Sequence, residues 1–451
     1  MDTLKVSVSG VRGIVGDSLT PPVIIEYVSA FADFIKQYGN HIAVARDTRP
    51  TGELVNRLVI GTLQACGLNV TDYGILPTPV LIYAVREKKF AGGVIITASH
   101  NPLQWNALKF IKKDGYFLNA QDVNTLILKR EKKVFDYVSY QKIGVPENNE
   151  NSFIPEYIDD LLCHFDVDSI KQRGLKVGYD PVNATGAFVT PSLIARLNCN
   201  LYGINEDTSI GFARGAEPIA ENLGGLSELV KGKKLDIGFA HDPDGDRLAL
   251  VDEQGNPIGE EYTLALAAYS AYKYRNLKSD MVVNLSTSLM TGEIAKQYGK
   301  KAHAAGVGEI NVTEKMIEIK SELGGEGNGG VIYPAFNSCR DSFVSMLFIL
   351  ELLALEKKPL SEIIKNLPYF VMVKEKFSGE FHQLEAVYQK LKEAFSGCIF
   401  DEQDGLKILG NDFWLHIRKS NTEPVVRIIA ESPSEETNQT LLKQAQQILG
   451  V

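Results

Sequence analysis

Three stretches of this sequence share one pattern, in which an apolar run turns through a polar loop into Thr-Gly and then into a helical segment. They are residues 42–52, 176–186 and 281–292. The threonines of the three pairs, Thr51, Thr185 and Thr291, stand 134 and then 106 residues apart. A pattern that recurs along a chain indicates repeated structural units, here three related α/β domains in which threonine caps a helix. Thr-Gly before a helix is also common in unrelated α/β proteins, so the pattern alone leaves coincidence open.

Strand-like and helical segments alternate through the first three quarters of the chain, as in a strand at 41–45, a helix at 52–65 and a strand at 69–73. This alternation is typical of α/β domains. After about residue 368 the pattern becomes a helix at 381–395, strands at 413–417 and 425–430, and a helix from residue 435. We therefore expect three related α/β domains and a smaller C-terminal α+β domain. The expected bounds are 1–150, 151–252, 253–367 and 368–451.

Charge and hydropathy exclude several classes of partner. The chain has 47 basic and 56 acidic residues, a net charge of -9, and no basic run of the kind that attracts nucleic acid. The longest apolar stretch, residues 346–355, contains Glu351 and is too short to span a membrane. The five cysteines are dispersed and odd in number, which favours a reduced, cytosolic setting. We expect a cytoplasmic protein that binds neither nucleic acid nor membranes.

Ser99 lies in the run Thr97-Ala98-Ser99-His100-Asn101-Pro102, directly after a predicted buried strand. The ends of such strands are where α/β sheets usually present ligand groups. No Gly-x-Ser-x-Gly elbow or evident triad accompanies this serine, so hydrolase chemistry has little support. A phosphorylated serine would instead need cations and backbone donors around it. Taken alone, the motif is equally consistent with a structural turn.

A second motif, His-Asp-Pro-Asp-Gly-Asp-Arg at 241–247, places Asp242, Asp244 and Asp246 at alternate positions. Three carboxylates can converge on one divalent cation. The competing interpretation is a calcium EF-hand loop, but Arg247 stands where that loop requires glycine and the flanks alternate like strands. We therefore predict a magnesium loop between two strands, with coordination sites left open for a phosphate oxygen.

Two further loops contain groups suited to a sugar phosphate. Residues 324–330 hold five glycines around Glu326 and Asn328, so the backbone can approach a ligand whose hydroxyls these two side chains bind. Near the end, Arg418, Ser420, Asn421 and Thr422 combine a guanidinium, hydroxyls and an amide in a candidate phosphate cradle. Arg427 faces either the same phosphate or the core. Flexible or surface turns remain the alternatives for both loops.

In this order and spacing, the four loops resemble those of the α-D-phosphohexomutases, the family of phosphoglucomutase, phosphomannomutase and phosphoglucosamine mutase. Ser9-Gly10-Val11-Arg12-Gly13 and Arg46-Asp47-Thr48-Arg49 also match family positions, and the resemblance covers essentially the whole chain. It implies four domains around a central cleft. It also implies an intramolecular phosphotransferase that interconverts sugar 1-phosphate and 6-phosphate through a phosphoserine and a sugar 1,6-bisphosphate.

The resemblance also implies a role for each site residue. Phosphoserine Ser99 donates and recovers the phosphoryl group, and Mg²⁺ is held by Ser99 and the three aspartates. The remaining catalytic candidates are Arg12, His100, Lys109 and Arg247. The substrate-binding candidates are Glu326, Asn328, Arg418, Ser420, Asn421, Thr422 and Arg427. The expected partner is a hexose or hexosamine phosphate, and the protein is expected to be a monomer or a homodimer.

The sugar loop departs from that of many relatives, which have serine where Asn328 stands and histidine where Gly330 stands. Lys109 or His100 is then the candidate to carry the proton that the histidine would carry. The glycine-rich loop resembles that of some phosphoglucosamine mutases, which favours glucosamine 6-phosphate and glucosamine 1-phosphate as the substrate pair. The alternatives are a phosphoglucomutase or phosphomannomutase, an inactive relative that only binds sugar phosphates, and a metal-dependent phosphatase.

Overall fold

The computed structural model describes residues 3–378, 384–419 and 425–450. Among these residues the strands form four sheets, each built from one consecutive part of the chain. No helix in the described ranges is long and apolar enough to cross a membrane.

The first sheet is mixed, with strand order β1-β2-β6-β5-β3-β4-β7. Its strands are β1 (Lys5–Ser7), β2 (Gly10–Ile14), β3 (His41–Arg46), β4 (Asn69–Ile75), β5 (Gly92–Ile96), β6 (Trp105–Lys112) and β7 (Pro146–Asn148). Its helices are α1 (Pro21–Ile35), α2 (Gly52–Ala65), α3 (Thr78–Glu87) and α4 (Ala120–Lys132). Strand β5 is buried along its whole length, which explains its unbroken run of glycine, valine and isoleucine.

The second sheet has the order β11-β10-β8-β9. This part of the chain contains α5 (Ile154–Cys163), α6 (Val167–Arg173), β8 (Lys176–Asp180), α7 (Gly186–Arg196), β9 (Asn200–Gly203), α8 (Gly224–Lys233), β10 (Ile237–His241) and β11 (Leu248–Val251). Short 3-10 turns occur here and in the first part of the chain, at Lys36–Tyr38, Tyr140–Lys142 and Ala220–Asn222.

The third sheet has the order β13-β12-β14-β15-β16. Its elements are α9 (Glu261–Tyr274), β12 (Met281–Asn284), α10 (Leu289–Gln297), β13 (Ala302–Ala305), α11 (Glu309–Ile319), β14 (Gly324–Glu326), β15 (Gly330–Tyr333), β16 (Asn337–Arg340), α12 (Ser342–Glu356) and α13 (Leu360–Ile364). Helix α12 is buried on nearly every side, because it packs into an apolar cluster that continues through the first three sheets.

The fourth sheet is antiparallel, with the order β17-β21-β20-β19-β18. Its elements are β17 (Val371–Ser378), α14 (Leu384–Ala394), β18 (Ile399–Asp401), β19 (Leu406–Leu409), β20 (Trp414–Lys419), β21 (Val425–Ser432) and α15 (Glu435–Leu449). The two helices and the sheet enclose a separate apolar core. The C-terminal α+β unit agrees with the prediction.

The first three units repeat one connection. A central strand pairs in parallel with the next two strands along the chain, and the second of these pairs antiparallel with a return strand. The central strands are β3, β8 and β12, and the return strands are β6, β11 and β15. This shared topology confirms the prediction of three related α/β domains.

The predicted threonine caps are wrong. Thr51 and Thr185 occupy the N-cap positions of α2 and α7, but neither side chain makes a capping hydrogen bond. Each hydroxyl is engaged elsewhere: Asn106 donates to that of Thr51, and that of Thr185 donates to the Pro243 carbonyl. Thr291 lies inside α10, whose cap is Ser288. Tertiary hydrogen bonds have displaced the local caps that the sequence favoured.

Candidate active site

The three chemistry-bearing loops occupy equivalent places, since each connects the third parallel strand of its sheet to the antiparallel return strand. They are the β5–β6 loop with Ser99, the β10–β11 loop with the three aspartates, and the β14–β15 loop with Asn328. All three face one cleft of about 450 Å³, which the fourth sheet closes with Arg418 and Arg427. The fold thus brings segments of all four units to a single cavity.

Ser99 is buried in this cleft and adopts a left-handed backbone conformation, with φ of 49°. A non-glycine residue in this region is strained and persists only when its surroundings hold it. Its amide donates to the Thr97 hydroxyl at 2.9 Å, and its Oγ donates to Asp242 Oδ2 at 3.0 Å. The backbone therefore presents the serine hydroxyl to the carboxylate loop.

Two arginines, Arg49 and Arg12, hold the serine loop by donating hydrogen bonds to its backbone carbonyls. The guanidinium of Arg49 donates to the carbonyls of Ser99 and Asn101, each at 2.6 Å, and also to the Pro102 and Trp105 carbonyls. Its Nε pairs with the buried Asp47 at 3.0 Å. Arg12 donates to the Ala98 carbonyl at 3.2 Å and to the Asn101 side chain. These charged groups therefore add to the loop's own turn, in which the Asn101 amide donates to the Ala98 carbonyl at 3.1 Å.

The three aspartates converge as predicted, with carboxylate oxygens within 4.8 Å of one another and all three side chains buried. Lys109 and Thr78 donate to Asp244 Oδ2 at 2.7 and 3.0 Å, and Arg340 donates to Asp246 Oδ2. The opposite oxygens, Asp244 Oδ1 and Asp246 Oδ1, are buried and have no hydrogen-bond partner among the described residues, although Arg247 Nε lies 3.6 Å from Asp246 Oδ1. Buried carboxylate oxygens without donors fit a divalent cation, which prefers oxygen ligands.

The electrostatics of the triad support the same conclusion. Burial, together with the neighbouring Asp246 and Asp244, raises the pKa of Asp242 well above its ordinary value. Burial also opposes ionisation of Asp244, but the ion pair and hydrogen bond with Lys109, the contact with Asp242 and the nearby Arg247 together outweigh it and lower the pKa of that carboxyl. Crowded buried carboxylates repel one another unless a cation is shared among them. The triad is therefore poised to bind positive charge.

Arg247 joins the aspartate loop to the serine loop. Its Nη2 lies 3.5 Å from Ser99 Oγ and donates to His100 Nδ1 at 2.7 Å. Burial and the nearby Arg247 lower the pKa of His100 well below its ordinary value, so the ring is neutral. Because Nδ1 accepts from Arg247, the ring proton is on Nε2, and His100 has no free lone pair while this contact lasts.

Glu326 lies at the end of β14 and is buried at the wall of the cleft. Burial would raise its pKa, but Arg340 at 2.6 Å and hydrogen bonds from Asn284 and the Gly308 amide lower it, so the carboxylate is ionised. Asn328 lines the cleft beside it. The predicted glycine loop is shorter than expected, because residues 324–326 and 330 belong to strands and only 327–329 form the turn.

Three cations form a row across the fourth sheet. In the strand register, Lys376 on β17 lies opposite Arg427 on β21, and Arg427 lies opposite Arg418 on β20. All three residues line the cleft. Like charges directly opposite on a sheet are unfavourable unless an anion lies between them. Arg427 therefore faces the cleft rather than the core. The predicted cradle residues Ser420, Asn421 and Thr422 lie outside the described residues.

Comparison with known proteins assigns the family. Residues 3–135, 155–255 and 259–370 match the family models for phosphoglucomutase/phosphomannomutase, alpha/beta/alpha domains I, II and III, in that order. The C-terminal domain of the same family matches residues 371–447. The chain belongs to the phosphoglucomutase/phosphomannomutase family. Its members are isomerases of the phosphohexomutase type, so this phosphohexomutase is an intramolecular phosphotransferase.

Two relatives bear different substrate names. A phosphoglucosamine/phosphogalactosamine mutase of Sulfurisphaera tokodaii is 34% identical over 98% of each chain. A phosphoglucomutase/phosphomannomutase of Thermococcus kodakarensis is 35% identical over 95% of this chain and 94% of its own. In fold, the phosphohexomutase is similar to a phosphoglucomutase/phosphomannomutase family protein from Burkholderia thailandensis, with a TM-score of 0.86, 23% identity, and coverage of 100% of this chain and 98% of that one.

Arg49, Arg340 and Lys376 were not among the predicted site residues of the phosphohexomutase. Arg49 stands in the matched run Arg46-Asp47-Thr48-Arg49, so a signal for it was present without a role. Lys376 lies on β17, far along the chain from Arg418 and Arg427, and Arg340 lies on β16, 94 residues from Asp246. Only the strand register and the packing of the cleft bring them to the site.

Proposed function

We propose that the protein interconverts sugar 1-phosphate and sugar 6-phosphate through phosphoserine Ser99, with glucosamine phosphate as the preferred substrate. The observation that carries the proposal is the position of Ser99 Oγ, 3.0 Å from Asp242 and 3.5 Å from Arg247, in the same cleft as the cationic row of the fourth sheet. One end of a bisphosphorylated sugar would react at Ser99 while the cationic row holds the other.

The residues divide the work between holding and transferring. Phosphoryl transfer depends mainly on positioning and on neutralising charge at the transferred group. Ser99 and the three aspartates would hold Mg²⁺, which when bound supplies Lewis-acid neutralisation of the phosphate oxygens. Arg247 and Arg12 supply fixed positive charge beside the serine. Arg418, Arg427 and Lys376 hold the phosphate that is not reacting.

The chemical step exchanges one phosphoester bond for another. The bond from phosphorus to Ser99 Oγ breaks, and a bond from phosphorus to a sugar hydroxyl oxygen forms. The hydroxyl loses a proton, and Ser99 Oγ gains one. We assign proton transfer to Lys109, which lines the cleft and donates to Asp244 at 2.7 Å. As an ammonium, Lys109 would donate a proton to Ser99 Oγ as its bond to phosphorus breaks, and the amine so formed would take up the proton of the sugar hydroxyl.

The return step requires the intermediate to present its second phosphate to Ser99. We propose a sugar 1,6-bisphosphate as both intermediate and activator, with Glu326 and Asn328 accepting and donating hydrogen bonds to the hydroxyls in either orientation. Support for glucosamine phosphate comes from the glycine-rich sugar loop and from the relative named for glucosamine and galactosamine phosphates. The relative named for glucose and mannose phosphates keeps those sugars as the second candidate.

The test measures turnover of glucosamine 6-phosphate, glucose 1-phosphate and mannose 1-phosphate by the purified protein with Mg²⁺ and the matching bisphosphate. Glucosamine 6-phosphate should have the highest kcat/KM. The Ser99→Ala variant should lose turnover of every sugar, whereas Ser29→Ala, a change at a buried serine of α1, should keep it. Equal turnover by Ser99→Ala and the parent would refute the phosphoserine, and release of inorganic phosphate without isomerisation would indicate a phosphatase.

A further inference from the structure

Arg340, at the end of β16, is a buried guanidinium that contacts acidic or amide side chains of three separate segments. Its Nε pairs with Glu309 at 3.0 Å, its Nη1 with Glu326 at 2.6 Å, and its Nη2 with Asp246. Nη1 also lies 3.4 Å from Asn328 Oδ1. One planar group therefore connects the aspartate loop, the sugar loop and the first turn of α11.

The strand beside it is shaped around this side chain. A Cβ added at Gly330 would lie 2.3 Å from Arg340 Cδ and 2.8 Å from its Cγ. Real Cβ atoms do not approach other atoms so closely, so a side chain at 330 and the present position of Arg340 exclude each other. The space beside Gly330 is therefore occupied in this chain by the stem of Arg340.

We propose that Arg340 is a positioning residue of the reaction, which sets the orientation of Asp246 for the metal and of Glu326 for the sugar through one side chain. The proposal rests on the proposed function, in which the aspartates hold Mg²⁺ and Glu326 binds a sugar hydroxyl. Arg340 is not a proton carrier in this proposal, because a guanidinium stays protonated in proteins.

The hydrogen bonds to Asp246 explain how the orientation is set. Arg340 engages Oδ2, while Oδ1 of the same carboxylate is buried, has no hydrogen-bond partner in the part of the chain that the structure describes, and has Arg247 Nε at 3.6 Å. A guanidinium has donors at fixed angles, so it cannot turn toward one carboxylate without disturbing its bond to another. When Nη2 of Arg340 holds Oδ2, Oδ1 is left to face the position of the shared cation. Nη1 of the same guanidinium fixes Glu326.

The decisive variant is Arg340→Lys, which keeps the charge but has a single ammonium in place of the fork. Removing a group that orients a metal ligand typically weakens metal binding about 10- to 100-fold. We expect the Kd for Mg²⁺, measured by calorimetry without sugar, to rise at least tenfold. We expect the Kd for glucose 6-phosphate, measured in a Ser99→Ala background without Mg²⁺, to rise about tenfold as well.

Arg275→Lys is the matched control. Arg275 is a half-buried arginine with a two-pronged pair to Glu351, in which Nη2 donates to Oε1 at 2.7 Å and Nε donates to Oε2 at 3.0 Å. That pair packs against aromatic rings away from the cleft. Its variant should lose thermal stability without a change in either Kd. If Arg340→Lys leaves both Kd values within twofold of the parent, or changes only one of them, the bridging role is refuted.

Two further measurements keep the outcome clear. If Arg340→Lys does not fold, Glu309→Gln removes one anchor of the guanidinium while leaving Asp246 and Glu326 in place, and both Kd values should then rise at least threefold. Unchanged values in Glu309→Gln would overturn the inference. Asp242→Asn tests the metal site itself, and unchanged Mg²⁺ binding in that variant would refute the metal site of the proposed function whatever Arg340 does.

Discussion

The hydrogen bonds from Arg49 to the serine loop, here called the clamp, give a prediction in which the expected loss of activity follows from the number of contacts removed. Replacing Arg49 by methionine removes the donors to the carbonyls of Ser99 and Asn101, both at 2.6 Å. A buried acceptor left without its donor costs about 1–3 kcal/mol. The left-handed conformation of Ser99 adds about 1–2 kcal/mol of strain that the clamp no longer opposes.

Even at the lower ends of these ranges, the active loop conformation loses about 3 kcal/mol relative to relaxed ones. Since about 1.4 kcal/mol corresponds to a factor of ten, kcat should fall at least about 100-fold. KM for the sugar phosphate should change much less, because the sugar loop and the cationic row do not touch Arg49. Hydrogen exchange of the amides in 97–105 should become faster in parallel.

Two variants separate the clamp from general damage. Arg57→Met changes an exposed arginine of α2, the helix that follows Arg49, where Arg57 forms an ion pair with the exposed Glu53, and it should leave kcat unchanged. In Arg49→Met/Asp47→Asn the uncompensated buried carboxylate is also removed, so thermal stability should recover while kcat stays low. A kcat within threefold of the parent in Arg49→Met, or a lower kcat without faster exchange in 97–105, would refute the reasoning.

Three further predictions concern the metal, the proton carrier and pH. Asp244→Asn should abolish measurable Mg²⁺ binding in calorimetry, because it removes one of three converging carboxylates. Lys109→Met should lower kcat about 100- to 10,000-fold and Lys109→Arg should not restore it, whereas His100→Gln should lower kcat less than Lys109→Met does; the opposite order would reassign the proton carrier. Burial lowers the pKa of His416 to about 3, so the folded ring stays neutral while the unfolded ring, with an ordinary pKa near 6.5, takes up a proton as pH falls. His416 should therefore contribute about 2 kcal/mol to the drop in stability between pH 7 and 5, and urea unfolding of His416→Gln should show a drop smaller by about that amount.

Much of the fold could be predicted because it is written in local patterns. The helix at 52–65 and the final helix from residue 435 have the predicted starts, since an amphipathic period marks each one. The repeat of three α/β units followed from the spacing of similar segments. The prediction of threonine caps was wrong because tertiary hydrogen-bond partners compete with the helix for the threonine hydroxyl. In α7 the Thr185 hydroxyl donates to the Pro243 carbonyl of another loop.

The chemical groups of the site were predictable to the extent that they lie within one loop. Asp242, Asp244 and Asp246 are neighbours in sequence, so their convergence needs only a turn. Lys376 joins Arg427 through strand register, which a single sequence does not state. The position of Arg340 is harder still to predict from sequence, because its side chain fits only where Gly330 on the adjacent strand leaves space for it.

The equivalent placement of the three loops explains how one repeated unit provides three different chemical tasks. In each unit the return strand closes the loop into a hairpin, so backbone hydrogen bonds fix both ends of the loop. The tip can then vary in sequence without loss of position, as the serine, aspartate and glycine-rich loops do. Contacts between the tips add the remaining order: Leu248 donates to the Gly329 carbonyl at 3.0 Å, and Ser99 donates to Asp242. Phosphoryl transfer depends more on positioning than on reactive groups, so rigid hairpins suit it. The charged side chains of Arg49 and Arg340 then fix the precise orientation of the groups that they contact.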